Sequence, residues 1–254
     1  KSHETERGQE VIKGLSLFAN VGIAETYLHD VGVDIVVANE WLPERARFYQ
    51  DLYPDCHMIC GDIQDKKVFD KVWREAKQLE VEFIIATPPC QGMSPAGKKD
   101  PFDPRNQLIT SAVDMVEKLK PKFVLLENVM QQLKTKIRYN DKLMLIPDYL
   151  KARLGKKYNF NDNPVIDTKF YGVPQQRKRA IFLLSRKDTN VEWCFPPKEA
   201  KLVTLKEAIG DLPSLDPLVK EPEFRDAFPA YEKKRKAGLR ISKWHAPREH
   251  VWRN

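Results

Sequence analysis

Residues 83–97 read FIIATPPCQGMSPAG. The run Phe83 to Ala86 is apolar without alternation. A strand covered on both faces reads this way, as in a parallel sheet packed between helices. Thr87 closes the run, and Pro88 and Pro89 fix the backbone just beyond it. Cys90 follows at once, and Gln91 and Gly92 then open a loop that carries Lys98 and Lys99. Most cysteines are small buried hydrophobes. This one stands at the mouth of a buried strand, on a rigid mount before a loop. That setting suits a nucleophile that must meet a large substrate.

Similar runs lie on either side. GLSLFANVG (14–22), VDIVVANE (33–40), CHMICGDI (56–63) and KFVLLENV (122–129) each read as a strand with its closing turn. NPVIDTKFYGVP (163–174) and KRAIFLLSR (178–186) read as two further, adjacent strands. Between them, apolar residues at helical spacing predict helices over 23–32, 41–54, 70–79, 106–121 and 147–158. Alternation of this kind predicts an α/β fold, a mostly parallel sheet with helices on both faces. Ligands of such sheets collect at the C-terminal ends of the strands. Glu40, Asp62, Thr87 to Gly92 and Glu127 to Val129 all follow strand ends, so they are expected along one edge.

After about Ser185 the character changes. The stretch from Val191 to Pro217 is proline-punctuated with one short helix expected, and the tail from Phe228 is basic, aromatic and irregular. The expected division is therefore a catalytic domain over 1–187 and a linker with the opening of a further region over 188–254. The chain has 254 residues and a formal net charge of +7, which favours a polyanionic partner. No run of about 18 apolar residues is present, so no membrane partner is expected. Four cysteines without paired metal-type spacing suggest a reducing compartment and no metal site.

The strand-end residues carry chemistry of their own. FANVG turns from a strand into the next segment but lacks the G-x-G-x-x-G pattern of a pyrophosphate cradle. Glu40 stands where a dinucleotide-binding sheet places its ribose acid, Trp41 beside it offers a stacking face, and Asp62 offers an adenine acceptor. Without a pyrophosphate site these point to a nucleoside cofactor, which S-adenosylmethionine fits better than NAD. The plainer alternative is three solvated loop residues. Glu127 and Asn128 end an apolar strand; in a dry pocket the acid's pKa rises and it can give a proton. A satisfied strand-end carboxylate is the alternative. Gln175, Arg177 and Arg179 alternate into the last strand, so both guanidiniums can face one ligand. A basic edge strand that discourages aggregation is the other reading.

Together PPCQG, DPRNQL, LLENV and GVPQQRKR, in this order, resemble the cytosine-5 DNA methyltransferases, over Leu15 to Arg186. The resemblance implies a Rossmann-like S-adenosylmethionine-dependent methyltransferase fold. It implies that Phe18, Asn20, Gly22, Glu40, Trp41, Asp62, Ile63, Pro89 and Leu108 line the cofactor site, Pro89 also shaping the cytosine pocket. It implies Cys90 as nucleophile, Glu127 as the acid near cytosine N3, and Arg177 and Arg179 as supports of the flipped base. Double-stranded DNA would be the substrate, in a bacterial cytoplasmic, nucleoid-associated restriction-modification setting. One branch of the family uses the same motifs on tRNA. Non-catalytic homologues tend to lose the cysteine, the glutamate or the arginines, and this chain keeps all of them.

The chain departs from the family pattern in two places. Its first motif usually reads F-x-G-x-G, and here Asn20 replaces the first glycine. Asn is the residue other than Gly that best tolerates a left-handed backbone, so the turn is expected to survive. The family's variable recognition region, the motif after it and the closing GN motif are not found after QQRKR. The expectation is a fragment of a longer protein, or one subunit of a split enzyme with a complementing C-terminal part.

Overall fold

The structure is a computed structural model that describes residues 11–89, 104–216, 228–243 and 245–246. It divides into two compact units: Lys1–Asp167 with Arg177–Pro197, and Thr168–Gln176 with Lys198–Asn254.

The first unit is built on one mixed sheet. Its strands are β1 (Ile12–Leu17), β2 (Val33–Glu40), β3 (His57–Cys60), β4 (Phe83–Ala86), β5 (Phe123–Val129), β8 (Tyr158–Phe160), β9 (Val165–Asp167) and β10 (Lys178–Arg186). The order is β3-β2-β1-β4-β5-β10-β8, with β9 also pairing β10. The first five pair in parallel, and β10 runs antiparallel to β5, β8 and β9. The five unalternating apolar runs of the sequence are thus the five parallel strands.

Helices α1 (Pro43–Leu52), α2 (Lys66–Gln78) and α3 (Leu108–Leu119) lie in the crossovers, and α4 (Ile146–Leu154) precedes β8. Strand residues alternate between the faces. Leu15, Leu17, Val37, Ile84 and Leu126 share one core with Val72 of α2, Ile109 and Met115 of α3 and Leu150 of α4. Ala38 turns the other way and packs with Tyr49 of α1 and with Cys56. On β4 and β5, Phe83 and Phe123 meet the edge of Trp193 at 6.2 and 5.8 Å. The helix ends are set locally. Asp65 accepts from Lys67 N to cap α2, and Pro43 and Pro147 open α1 and α4 where no intrahelical donor is needed.

Several segments differ from the sequence expectation: β8 is not among the expected strands, and the strand expected over 163–174 is only β9, followed by a 3-10 turn at Thr168–Tyr171. Residues 23–32 are turns with a short 3-10 stretch at His29–Val31, not an α-helix. Of the apolar residues at helical spacing, Ala24, Tyr27 and Val31 are exposed and only Leu28 is part-buried, while Glu25 takes the inward place. Residues 136–145, which carry no strand expectation, form a hairpin of β6 (Lys136–Tyr139) and β7 (Lys142–Leu145). Its two-residue loop, Asn140-Asp141, has φ of 48° and 59°, the left-handed pair a tight hairpin requires. In the second unit, α5 (Leu205–Ile209) is the short helix expected there, closed by a capping box of Thr204 and Glu207. The tail, expected to be irregular, holds an eleven-residue helix, α6 (Tyr231–Ile241). Its Lys, Arg and Glu residues are good helix formers without an apolar stripe to announce them.

Candidate active site

Parallel register brings the expected residues to one edge. Leu17 pairs with Asn39 and Ala86, and Glu40 pairs with Cys60. The segments after β1, β2, β3 and β4 therefore leave the sheet side by side.

The turn after β1 is a left-handed one. Phe18, Asn20 and Gly22 have φ of 60°, 52° and 79°. Asn20 sits where the family pattern has glycine, and it adopts the conformation expected of it. Ala19 N donates to Asn39 O at 3.0 Å, and Asn20 N donates to Glu40 Oε2 at 2.8 Å. Glu40 is buried, and its other oxygen, Oε1, accepts from Leu42 N at 2.9 Å. The acid of β2 thus binds the turn after β1 and the start of α1 together. Asn39 was not singled out from the sequence. Its buried Nδ2 lies 2.9 Å from Ile59 O and 3.0 Å from Gly61 O, which fixes the exit of β3. The legible signal was an amide at the end of an apolar run.

The remaining cofactor candidates divide. Trp41 is 67% exposed and presents an open ring beside Glu40. Asp62 accepts from Gln64 N at 2.9 Å and shapes its own turn. Ile63 is buried in the main core, so its side chain serves packing. Leu108 is half-buried at the first turn of α3.

At the end of β4, Thr87 N bonds Leu17 O, and buried Pro88 presents its carbonyl to Asn128 Nδ2 at 3.0 Å. Pro89 is exposed. Cys90, with Gln91, Gly92 and the lysine-bearing loop, lies outside the described residues. On the neighbouring strand β5, Glu127 faces Arg179 of β10, with Nε 2.9 Å from Oε1. Arg179 stands opposite Val129 and Glu127 opposite Ile181, so this is a diagonal contact on one face. Burial pushes the Glu127 carboxyl above its ordinary range, and Arg179 and Arg177 oppose that in part. Arg177 is exposed just before β10, its backbone N donating to Asp167 Oδ1 at 3.2 Å. Gln175 belongs to the second unit.

The family model of C-5 cytosine-specific DNA methylases matches residues 12–249. The chain belongs to that family. It is 44% identical over 210 residues to the type II methyltransferase M1.HgaI of Avibacterium volantium, covering 81% of this chain and 58% of that protein. It is 30% identical over 206 residues to M.XorII of Xanthomonas oryzae pv. oryzae, covering 80% and 47%. A solved structure described as a DNA modification methyltransferase encoded within an E. coli prophage superposes with a TM-score of 0.63. That match has 24% identity and covers 81% of this chain and 57% of that one, which supports the fold. The chain thus spans about half the length of the curated relatives it matches.

In this chain the sheet edge gathers Phe18, Asn20, Gly22, Glu40 and Asp62, while the pair Glu127 and Arg179 ends the strands beyond β4. The other cysteines offer little. Cys56 is buried and its thiol is pushed up to about 12, so it stays protonated at neutral pH. Cys60 and Cys194 are exposed.

Proposed function

We propose that the protein containing this chain transfers a methyl group to C5 of cytosine in double-stranded DNA, with S-adenosylmethionine as donor, in a bacterial type II restriction-modification setting. The observation that carries this is the pairing of a desolvated Glu127 with Arg179, one strand from the Thr87-Pro88-Pro89 segment that leads into Cys90. Family membership and the type II methyltransferase relatives support the same reading.

The residues fit the cofactor. A turn of three left-handed residues presents backbone at the end of β1, buried Glu40 lies beside it, and Trp41 offers an exposed ring. Phe18, Asn20, Gly22, Glu40, Trp41, Asp62 and Leu108 would hold the cofactor, with Ile63 supporting from the core and Pro89 bounding it on the cytosine side. When bound, S-adenosylmethionine supplies an electrophilic methyl group.

The protein's own part is to make C5 nucleophilic. The Cys90 thiolate adds to C6 of a base extruded from the duplex. Glu127, kept able to hold a proton by burial, gives a hydrogen bond or proton at N3. Electron density then reaches C5, the atom that would accept the methyl group as its bond to the sulfonium sulfur breaks and the thioether leaves. Loss of the C5 proton to a base re-forms the double bond and expels the thiolate. Arg179 orients Glu127, and Arg177 adds positive potential beside it.

Residues 1–187 serve as the catalytic domain in this reading, and 188–254 as a linker and the opening of a target-recognition region. Among the described residues, no helix is long and apolar enough to cross a membrane. The cytoplasm, on the nucleoid, is the location that suits a DNA-modifying enzyme. The exposed side chains of Ile23, Tyr27 and Val31, together with the length of the relatives, support a complementing C-terminal segment or subunit. The test is labelled methyl transfer by the complete protein on duplex DNA and on tRNA. The reading expects label at cytosine C5 of duplex DNA. Label on tRNA alone, or on neither, contradicts it.

A further inference from the structure

The turn Phe18–Gly22 is costly to form. Three of its five residues are left-handed, and one is the bulky Phe18, for which a φ of 60° is an outlier. Such backbone persists only where its surroundings over-determine it. Glu40 holds the turn by the Asn20 amide. Two other side chains hold it by its carbonyls. Thr87 Oγ1 donates to Phe18 O at 3.2 Å, from the end of β4. Tyr53 Oη donates to Gly22 O at 2.7 Å, from the end of α1.

Each of these grips is itself fixed. Thr87 N bonds Leu17 O, so the Thr87 backbone is registered on β1. The Tyr53 ring lies against Tyr49, with centroids 4.8 Å apart, and Gln50 Nε2 reaches the carbonyls of Tyr53, Pro54 and Cys56. The ring also closes on Gly22 so tightly that a Cβ there would lie 2.2 Å from Tyr53 Cε2. Just after the turn, Ser16 Oγ donates to buried Glu25, which ties the following segment back to β1.

Building on the cofactor assignment above, we infer that Thr87 and Tyr53 are positioning residues that hold the turn after β1 ready for S-adenosylmethionine. Neither needs to touch the cofactor. Both keep the Phe18 and Gly22 carbonyls hydrogen-bonded, so the turn does not relax into an ordinary right-handed or extended backbone. Preorganisation of this kind lowers the ordering cost of binding. Thr87 also stands three residues before Cys90 in the chain, so one hydroxyl ties the cofactor turn to the strand that delivers the nucleophile.

The test compares wild type, Thr87→Val, Thr87→Ser and Tyr53→Phe in the complete protein. S-adenosylmethionine binding is measured by calorimetry, Tm by thermal melting, and KM for cofactor and for DNA by steady-state kinetics. Thr87→Val keeps the shape and removes the donor; Tyr53→Phe removes only the hydroxyl. Each is expected to weaken cofactor binding about three- to tenfold, the size of one lost hydrogen bond. The defect should fall on KM for the cofactor and leave KM for DNA. Thr87→Ser, which keeps the hydroxyl, should recover most of the affinity. Wild-type binding with unchanged affinity in Thr87→Val and Tyr53→Phe overturns this inference alone. So does a loss that follows Tm and is not recovered in Thr87→Ser. No binding by the wild-type protein overturns the cofactor assignment and this inference with it.

Discussion

Both carboxylate oxygens of Glu40 accept backbone amides, Asn20 N on one and Leu42 N on the other. A strand-end acid was legible in the sequence, but its hold on the turn was not, because that contact joins residues twenty apart through the sheet register. Glu40→Ala removes two charged acceptors, and any ribose contact with them. S-adenosylmethionine affinity should fall by about 1–3 kcal/mol in calorimetry. An unchanged affinity moves the cofactor elsewhere. Glu127 is the other decisive residue. Its place at a strand end was readable; its partner was not, since Arg177 and Arg179 were equal candidates in an alternating pattern. The start of the strand separates them, with Arg179 inside β10 and Arg177 ahead of it. Arg179 favours the charged carboxylate, so Arg179→Gln should move the already raised Glu127 titration further up. Carboxyl-labelled NMR titration reads this directly. A downward or absent movement contradicts the pairing.

Among the elements, the central strands β1, β2 and β4 were legible because their closing residues are buried on both faces and leave no polar alternation to misread. Residues 23–32 were misread for a physical reason: helical spacing is present, but Ile23, Tyr27 and Val31 stay exposed and Glu25 turns inward. Burial raises the Glu25 carboxyl above its ordinary value, while its bond from Ser16 opposes this. The folded state therefore keeps a proton that the unfolded chain has released. This contribution is complete below the unfolded carboxylate pKa and is lost as pH rises through the folded one. Glu25→Gln keeps the acceptor for Ser16 without the charge. In urea denaturation it should gain on wild type as pH rises above the ordinary carboxylate range. Parallel pH profiles contradict a buried, proton-holding Glu25. The turn itself tolerates asparagine at position 20 but not a side chain at 22. Gly22→Ala adds a methyl at φ 79° against the Tyr53 ring, so stability should fall by about 1–3 kcal/mol in the same assay.

For the whole molecule, the sheet edge was legible because Glu40, Asp62, Thr87 and Glu127 each stand at or close to the end of a strand of one sheet. In the second unit the short helix α5 was legible but α6 was not, because its described residues show no apolar face. The basic side chains of that region suit phosphate contacts, which carry no sequence information. Residues 1–254 alone should therefore bind DNA weakly, without sequence preference and with steep salt dependence, and methylate little. Adding the remainder found in the longer relatives should restore site-specific methylation. Robust site-specific activity from these residues alone contradicts that expectation.

A covalent mechanism at Cys90 can be trapped directly. The complete protein is incubated with S-adenosylmethionine and a duplex that carries 5-fluorocytosine, whose fluorine blocks the final proton loss. The adduct is then mapped by mass spectrometry. The account requires one DNA adduct on Cys90, absent in Cys90→Ala while cofactor binding persists. No adduct, or an adduct on Cys56, Cys60 or Cys194, contradicts it.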